Sequence, residues 1–352
     1  MPFLSFFKNK KVLITGHTGF KGSWLTSILL SLEAKIIGVS LETKKESHFE
    51  LLKLKKKIID IKCDIRNQEK LKKIINKYQP DIVFHLAAQS LVSLSYKNPI
   101  QTWTTNVIGT LNLIESLKIL KKKCSAIIIT SDKCYLNVEK KEGYKENDKL
   151  GGMDPYSGSK ASAENVFLSE YKSFFIKSKN ITLATARAGN VVGGGDWSKD
   201  RIIPDFITSI QNKKILKLRS PNSTRPWQHV LDPLFGYLKL SYALSRNVKN
   251  INGSSFNFGP KSNVNKKVID VIKEINKKIK VGRWTIIKNN KKFHESTLLK
   301  LNSDLARKKL KWETQLKFKD TMSLTSEWYL EYIKNKKILT FEQIKKFIKN
   351  LK

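Results

Sequence analysis

The chain has 352 residues, and its 67 Lys and Arg against 30 Asp and Glu give a net charge of +37. An apolar fraction of 40% excludes intrinsic disorder, three scattered cysteines exclude a disulfide framework or a CxxC metal site, and the lack of any ~18-residue apolar run excludes a transmembrane segment. Only eight of the basic residues are Arg, and Lys is spread from end to end, so a solvated lysine surface is expected and no nucleic-acid partner.

Residues 1–7 are apolar but have neither a basic flank nor a small-residue cleavage site, so a cytoplasmic location is expected. The run KVLIT at 11–15 reads as a buried strand, followed by a helical pattern over 23–32. Further strands are predicted at 36–40, 57–63 and 81–86, with a helix over 68–78 that stops before Pro80. Pro99 opens a long helix to about residue 120, and Pro155 opens another to about residue 177. Strands at 126–130 and 181–186 complete the alternation. Short strands alternating with helices predict an α/β fold: a Rossmann-like, doubly wound parallel sheet over residues 1–186. Beyond residue 187 turn residues cluster at 193–196, 220–224 and 252–255, so 187–335 reads as a smaller, irregular α/β substrate lobe whose segments interleave with the first. The tail 336–352 carries apolar residues at helical spacing between lysines. It reads as a basic amphipathic helix docked on its own domain or a partner, with attachment to a membrane surface as the alternative.

The first strand runs into Gly16-His17-Thr18-Gly19-Phe20-Lys21-Gly22, a GxxGxxG spacing that opens the first helix. Glycines are needed where the backbone turns sharply and closes on a diphosphate, and a helix N-terminus attracts that anion. Gly16, Thr18, Gly19, Phe20 and Gly22 are therefore predicted to bind a dinucleotide. Asp64 and Ile65, after the third strand, are placed at the adenine edge, and Ala87, Ala88 and Gln89, after the fourth, beside the cofactor. The ribose signal is ambiguous, because Glu42 stands slightly late and is followed by Lys44 and Lys45.

The fifth strand ends in Ser131-Asp132-Lys133, and Tyr156 and Lys160 follow at a YxxxK spacing. Residues four apart share one helical face. A nearby ammonium lowers a phenol pKa, so Tyr156 is expected to act as a general base with Lys160 beside it and Ser131 holding the same oxygen. Asp132 and Lys133 supply an additional acid/base pair, which an elimination of water needs and a simple oxidation does not. Lys133 serves either as a base or as a cation stabilising an enolate.

TGHTGFKGSWL (15–25), HLAAQ (85–89), TSDKCY (130–135), YSGSK (156–160), RAGNVVGGGDW (187–197) and RPWQHVLD (225–232) together carry a resemblance. Over about residues 10–330 the chain resembles the extended short-chain dehydrogenases/reductases, and within them the nucleotide-sugar 4,6-dehydratases, nearest the branch acting on CDP-glucose. The resemblance implies bound NAD, a homodimer through the helices after Pro99 and Pro155, and a nucleotide-sugar substrate: Arg201 and Arg225 are then candidates for its diphosphate, Asn190 is expected to donate to the diphosphate or sugar, and Trp197 and Trp227 to wall the site; no metal is expected. Two alternatives are kept: another nucleotide-sugar dehydratase or 4-epimerase of the same family, and a basic RNA- or membrane-binding Rossmann protein without turnover.

Overall fold

The computed structural model describes residues 1–43, 45–260, 265–287 and 298–351. Lys44, half of the lysine pair weighed above for the ribose, lies outside the described residues. Strand β1 (Lys11–Thr15) is buried from Val12 to Thr15. It is apolar on both sides because helices cover both faces of the sheet. Helix α1 (Phe20–Ser31) starts three residues before its predicted position, with Gly19 as its N-cap. The glycine turn itself pitches into the helix: a Cβ on Gly22 would lie 2.1 Å from the Gly16 carbonyl oxygen.

Strands β2 (Lys35–Ser40) and β3 (Ile59–Lys62) follow, the latter preceded by a short 3₁₀ turn at Leu54–Lys57. Helix α2 (Gln68–Tyr78) is capped by Asn67, whose side chain accepts the Lys70 N–H at 2.9 Å. Strand β4 (Ile82–His85) leads through a loop to helix α3, residues 99–117. That helix contains one π-helical turn, Thr104–Ile108, flanked by Pro99–Trp103 and Gly109–Leu117. Strand β5 (Cys124–Ile129) is followed by helix α4 (Pro155–Glu170), which also runs into a π turn, Tyr171–Phe175. Pro155 occupies the first turn of α4, and Asp154 caps it by accepting the Ser157 N–H at 3.0 Å.

Strand β6 (Ile181–Ala188), helix α5 (Ile202–Gln211), helix α6 (Leu231–Ser245) and strand β7 (Ser255–Phe258) come next. The main sheet has seven parallel strands in the order β7-β6-β5-β4-β1-β2-β3. The order reverses between β1 and β4, which opens the crevice where doubly wound sheets take their ligands. Strand β7 and the fully buried face of α6 come from beyond residue 187, so the two parts of the chain interleave.

The second lobe is built from α5, short strand pairs and two packed helices, α7 (Val268–Ile279) and α8 (Phe318–Asn335). Leu216–Leu218 pairs parallel with Trp284–Ile286, and Thr224–Arg225 antiparallel with Lys266–Lys267. The tail forms helix α9 (Thr340–Lys349) and docks on its own chain. Ile344 and Phe347 are buried, and the Phe347 ring lies 4.8 Å from Phe235. The Thr340 hydroxyl lies 2.7 Å from His48 Nε2 and accepts the Trp328 Nε1–H at 3.0 Å. The apolar stripe that suggested a membrane is thus used up intramolecularly. Among the described residues no helix is long and apolar enough to cross a membrane.

Candidate functional site

A cleft of about 890 Å³ runs along the carboxyl ends of β1, β4 and β5 and under the second lobe. Its floor begins at the glycine turn. Gly16 has φ +73°, and a Cβ there would lie 2.6 Å from the Ala87 nitrogen. The position therefore needs glycine for both conformation and space. Gly19 caps α1 without any side chain, so the free N–H groups of that helix face the cleft. Thr18 is tied to the end of β2 through Ser40, hydroxyl to hydroxyl at 2.7 Å. A bare helix N-terminus beside a turn that tolerates no Cβ fits a dinucleotide diphosphate.

Asp64 and Ile65 line the same cleft. Asp64 is clamped by the Arg66 guanidinium, with Nη2 to Oδ2 at 2.6 Å, and that pairing holds its carboxyl below the usual range. Glu42, at the rim, is paired with Lys62. Ala87 and Ala88 line the cleft, but Gln89 does not. Its side-chain amide turns inward and donates to Thr102 Oγ1 at 2.9 Å, while Asn106 accepts its backbone N–H at 2.8 Å. Gln89 braces the β4 loop against α3.

At the end of β5 the Ser131 hydroxyl donates to Asp132 Oδ1 at 2.9 Å and accepts the Lys133 N–H at 3.2 Å. Asp132 fits only because residue 189 is glycine: a Cβ there would lie 1.8 Å from Asp132 Oδ2. Asn190 sits at φ +51° and brings its side-chain amide 3.4 Å from the same oxygen. Asn190 therefore faces Asp132. Lys133 and Arg225 also line the cleft, the latter donating to the Thr224 carbonyl at 2.8 Å.

Tyr156 and Lys160 enter the floor from α4. Burial pushes the Tyr156 phenol up to about 12, opposed by its hydrogen bond with Ser131 and by the Arg201 charge. Burial also pulls Lys160 down to about 8, and the Glu164 carboxylate opposes that fall. The expected lowering of the phenol is thus not found, because desolvation of the buried phenol outweighs the hydrogen bond and the positive charge that oppose it. Glu164, one turn beyond Lys160, is the anion beneath the pair. It is gripped by Arg187, with Nη2 to Oε2 at 2.8 Å, and by the hydroxyls of Thr130, Thr185 and Ser255. Arg187 in turn donates to the Tyr135 hydroxyl at 2.7 Å.

Arg201 lines the cleft and bridges to Asp196 at 2.8 Å. Trp227 lines it too, with its indole N–H donated to the Lys266 carbonyl at 3.0 Å. Trp197 does not reach the cleft. Its ring packs 5.4 Å from Tyr329 and 5.4 Å from Tyr332, inside an aromatic cluster with Trp328. A tryptophan beside a glycine-rich loop reads equally as a wall or as core, and the distant helix α8 decides for core. Lys21 and Gly189 are among the cleft residues to which the sequence analysis gave no role: Lys21 lines the cleft beside the glycine turn, and Gly189 makes room for Asp132. Among the described residues no group of three or more His, Cys, Asp or Glu is placed to hold a metal.

The GDP-mannose 4,6 dehydratase family model matches residues 13–325. The chain is similar to the CDP-glucose 4,6-dehydratase of Salmonella typhimurium, 40% identical over 346 residues that cover 95% of this chain and 94% of that one. Among solved structures, dTDP-glucose 4,6-dehydratase from Bacillus anthracis in complex with NAD aligns with a TM-score of 0.76 at 23% identity, covering 95% of this chain and 99% of that chain. UDP-glucose 4-epimerase from Thermotoga maritima with UDP-glucose aligns with a TM-score of 0.76 at 21% identity, covering 92% and 100%. The latter two share the fold. On the family match and the near-full-length relative, the chain belongs to the GDP-mannose 4,6 dehydratase family of nucleotide-sugar dehydratases.

Proposed function

We propose that the chain dehydrates CDP-D-glucose to CDP-4-dehydro-6-deoxy-D-glucose with bound NAD. One observation carries the reading: Ser131, Asp132, Lys133, Tyr156 and Lys160 all line a single cleft with the glycine turn. The relative named for CDP-glucose supports the choice of nucleotide. Bound NAD would supply the hydride acceptor for C4 and the hydride donor for C6. The residues of this chain do the rest. Gly16, Thr18, Gly19, Phe20 and Gly22 seat the dinucleotide diphosphate, and Asp64, Ile65, Ala87 and Ala88 border its groove. Tyr156, with Ser131 on the same oxygen, removes the C4 hydroxyl proton. Lys160 holds positive charge beside the phenol. Lys133 takes the C5 proton, Asp132 protonates the departing C6 hydroxyl, and the same pair returns a proton to C5. Arg201, Arg225 and Asn190 border the nucleotide sugar.

The dimer belongs to this reading. Ile100 at 78% exposure, Ile108 at 45% and Trp103 at 40% on α3, with Phe174 at 59% and Ile176 at 55% beyond α4, leave apolar side chains exposed along two neighbouring helices. Exposed apolar side chains of that kind are suited to a second copy of the chain. The three buried free thiols, Cys63, Cys124 and Cys134, support a cytoplasmic location.

The test is incubation with NAD⁺ and, separately, CDP-, dTDP-, UDP- and GDP-glucose, with products weighed by mass spectrometry. Loss of one water from the CDP-glucose sample alone is expected. Inversion at C4 without loss of water would make the chain an epimerase and end the proposal.

A further inference from the structure

Glu164 is buried one turn beyond Lys160 on α4. Donors from β6, β7 and the end of β5 converge on its two oxygens. Arg187 on β6 takes both, Nε to Oε1 at 3.0 Å and Nη2 to Oε2 at 2.8 Å. Thr185 on β6 donates to Oε2 at 2.9 Å, Ser255 on β7 to the same oxygen at 3.2 Å, and Thr130 to Oε1. Thr130 directly precedes Ser131 and Asp132. One carboxylate thus ties the turn that carries those two residues to the helix that carries Tyr156 and Lys160. An ion pair buried only for packing gains nothing over apolar side chains of the same volume. The same carboxylate acts on Lys160, which burial pulls down to about 8. Besides Tyr156 on its own helix, Lys160 meets Cys134 from the turn after β5, His85 from the end of β4 and Lys21 from α1. Burial raises the Cys134 thiol and lowers the His85 imidazole to about 3, so both are neutral at working pH. Lys21 is a cation and opposes charge on Lys160. Among these groups Glu164 is the anion that favours the Lys160 ammonium. Arg187 offsets part of that effect, and spreads its charge over the Tyr135 hydroxyl and the Glu146 carbonyl, which accept from Nη1 at 2.7 and 2.8 Å.

We propose that Glu164 is a positioning residue of the oxidation step: it fixes the helix of Tyr156 and Lys160 against the turn of Ser131 and Asp132, and it keeps Lys160 a cation while Tyr156 takes the C4 hydroxyl proton. The proposal rests on the reading of Tyr156 and Lys160 as the proton-transfer pair and not on which nucleotide sugar is taken. In that step the C4 hydroxyl O–H bond breaks and its proton passes to the Tyr156 phenolate. The C4–H hydrogen leaves with its electron pair to NAD⁺, and C4 becomes a carbonyl. Glu164 exchanges no proton. The sign of its effect follows from charge. Lys160 loses its proton as pH rises, and removing a nearby anion makes that loss occur at lower pH.

Two variants of the full-length protein separate charge from shape: Glu164→Gln keeps the shape without the charge, and Glu164→Asp keeps the charge on a shorter side chain. Lys160 lines the cleft, within reach of a small reagent. Trace acetylation across a pH series, without cofactor or sugar and read at Lys160 by mass spectrometry, gives the pH at which that amine is half deprotonated. Glu164→Gln is expected to lower this midpoint by about one pH unit, and Glu164→Asp to leave it near wild type. In single turnovers followed by reduced cofactor, the alkaline fall of the rate is expected to move by the same amount in Glu164→Gln. Glu164→Asp is expected to slow the step about tenfold at every pH without moving that fall. An unmoved midpoint in Glu164→Gln, or equal shifts in both variants, would overturn the proposal. A shifted midpoint with an unshifted rate profile would overturn it as well. Should Glu164→Gln not fold, adding Arg187→Met removes the unpaired buried cation and gives the same comparison with a smaller shift. A wild type that oxidised no nucleotide sugar would end the functional reading and the catalytic half of this one, whereas the labelling midpoint would still report the hold of Glu164 on Lys160.

Discussion

Tyr156 and Asp132 divide the chemistry between two atoms of one hexose, and their surroundings differ accordingly. The phenol is buried, and desolvation raises its pKa to about 12 against the opposing Ser131 hydrogen bond and Arg201 charge. Asp132 sits where two neighbours donate to it and where Gly189 leaves it room. Tyr156→Phe is expected to slow hydride transfer by about 10³-fold, read as reduced cofactor in a single turnover. Asp132→Asn should leave that step near wild type and slow elimination, so that a 4-keto hexose accumulates. Wild-type rates in both variants would undo the assignment. Asp232 makes a different point. It is buried, and although the Gln315 N–H donates to Oδ1 at 2.7 Å, its Oδ2 has no hydrogen-bond partner among the described residues. Burial raises its pKa from 3.8 to about 7. A raised acid favours the folded state fully below pH 4, and that contribution is lost as pH rises through 7. The shift corresponds to roughly 4 kcal/mol, so Asp232→Asn should raise the melting temperature at pH 8 and change it little at pH 4.

Secondary-structure elements place these atoms more tightly than their lengths suggest. Helix α4 presents Tyr156, Lys160 and Glu164 one turn apart on one face, so a single rigid body carries base, cation and buried anion. The i, i+4 spacing made the first two legible from the sequence. The role of Glu164 was not legible, because its partners Thr130, Thr185, Arg187 and Ser255 come from β6, β7 and the loop after β5. The tail helix α9 was legible as amphipathic, but not its partner. Removing residues 339–352 strips the cover from Phe235 and leaves His48 Nε2 and Trp328 Nε1 without Thr340. Unpaired buried polar groups cost about 1–3 kcal/mol each. The truncated chain should therefore unfold at markedly lower denaturant than the full chain. An unchanged midpoint would show that α9 is a passive appendage.

At the scale of the whole molecule, the sheet is closed by a strand from the far half of the chain. Strand β7 pairs with β6 from Ser255 to Phe258, so the second lobe cannot detach without opening the sheet. The site lies between a rigid Rossmann floor and a lobe anchored to that same sheet. The exposed apolar side chains along α3 and the end of α4 are the other large-scale feature. Size-exclusion chromatography with light scattering should find a dimer, and Ile100→Glu with Phe174→Glu should yield a folded monomer. A monomeric wild-type chain would refute the dimer.

Local chemistry determined what was readable in advance. Gly16 needs a left-handed backbone, α4 needs a proline start, and Tyr156 needs a lysine four residues on, and each requirement shows up within a few residues of sequence. The alternation of short apolar runs with helical patterns likewise carried the parallel sheet. Direction and partnership were decided only on folding. Gln89 turns to α3, Trp197 to α8, and Lys21 to a cleft shared with residues more than a hundred positions away. Which way a side chain points depends on what arrives opposite it, and those neighbours come from distant parts of the chain.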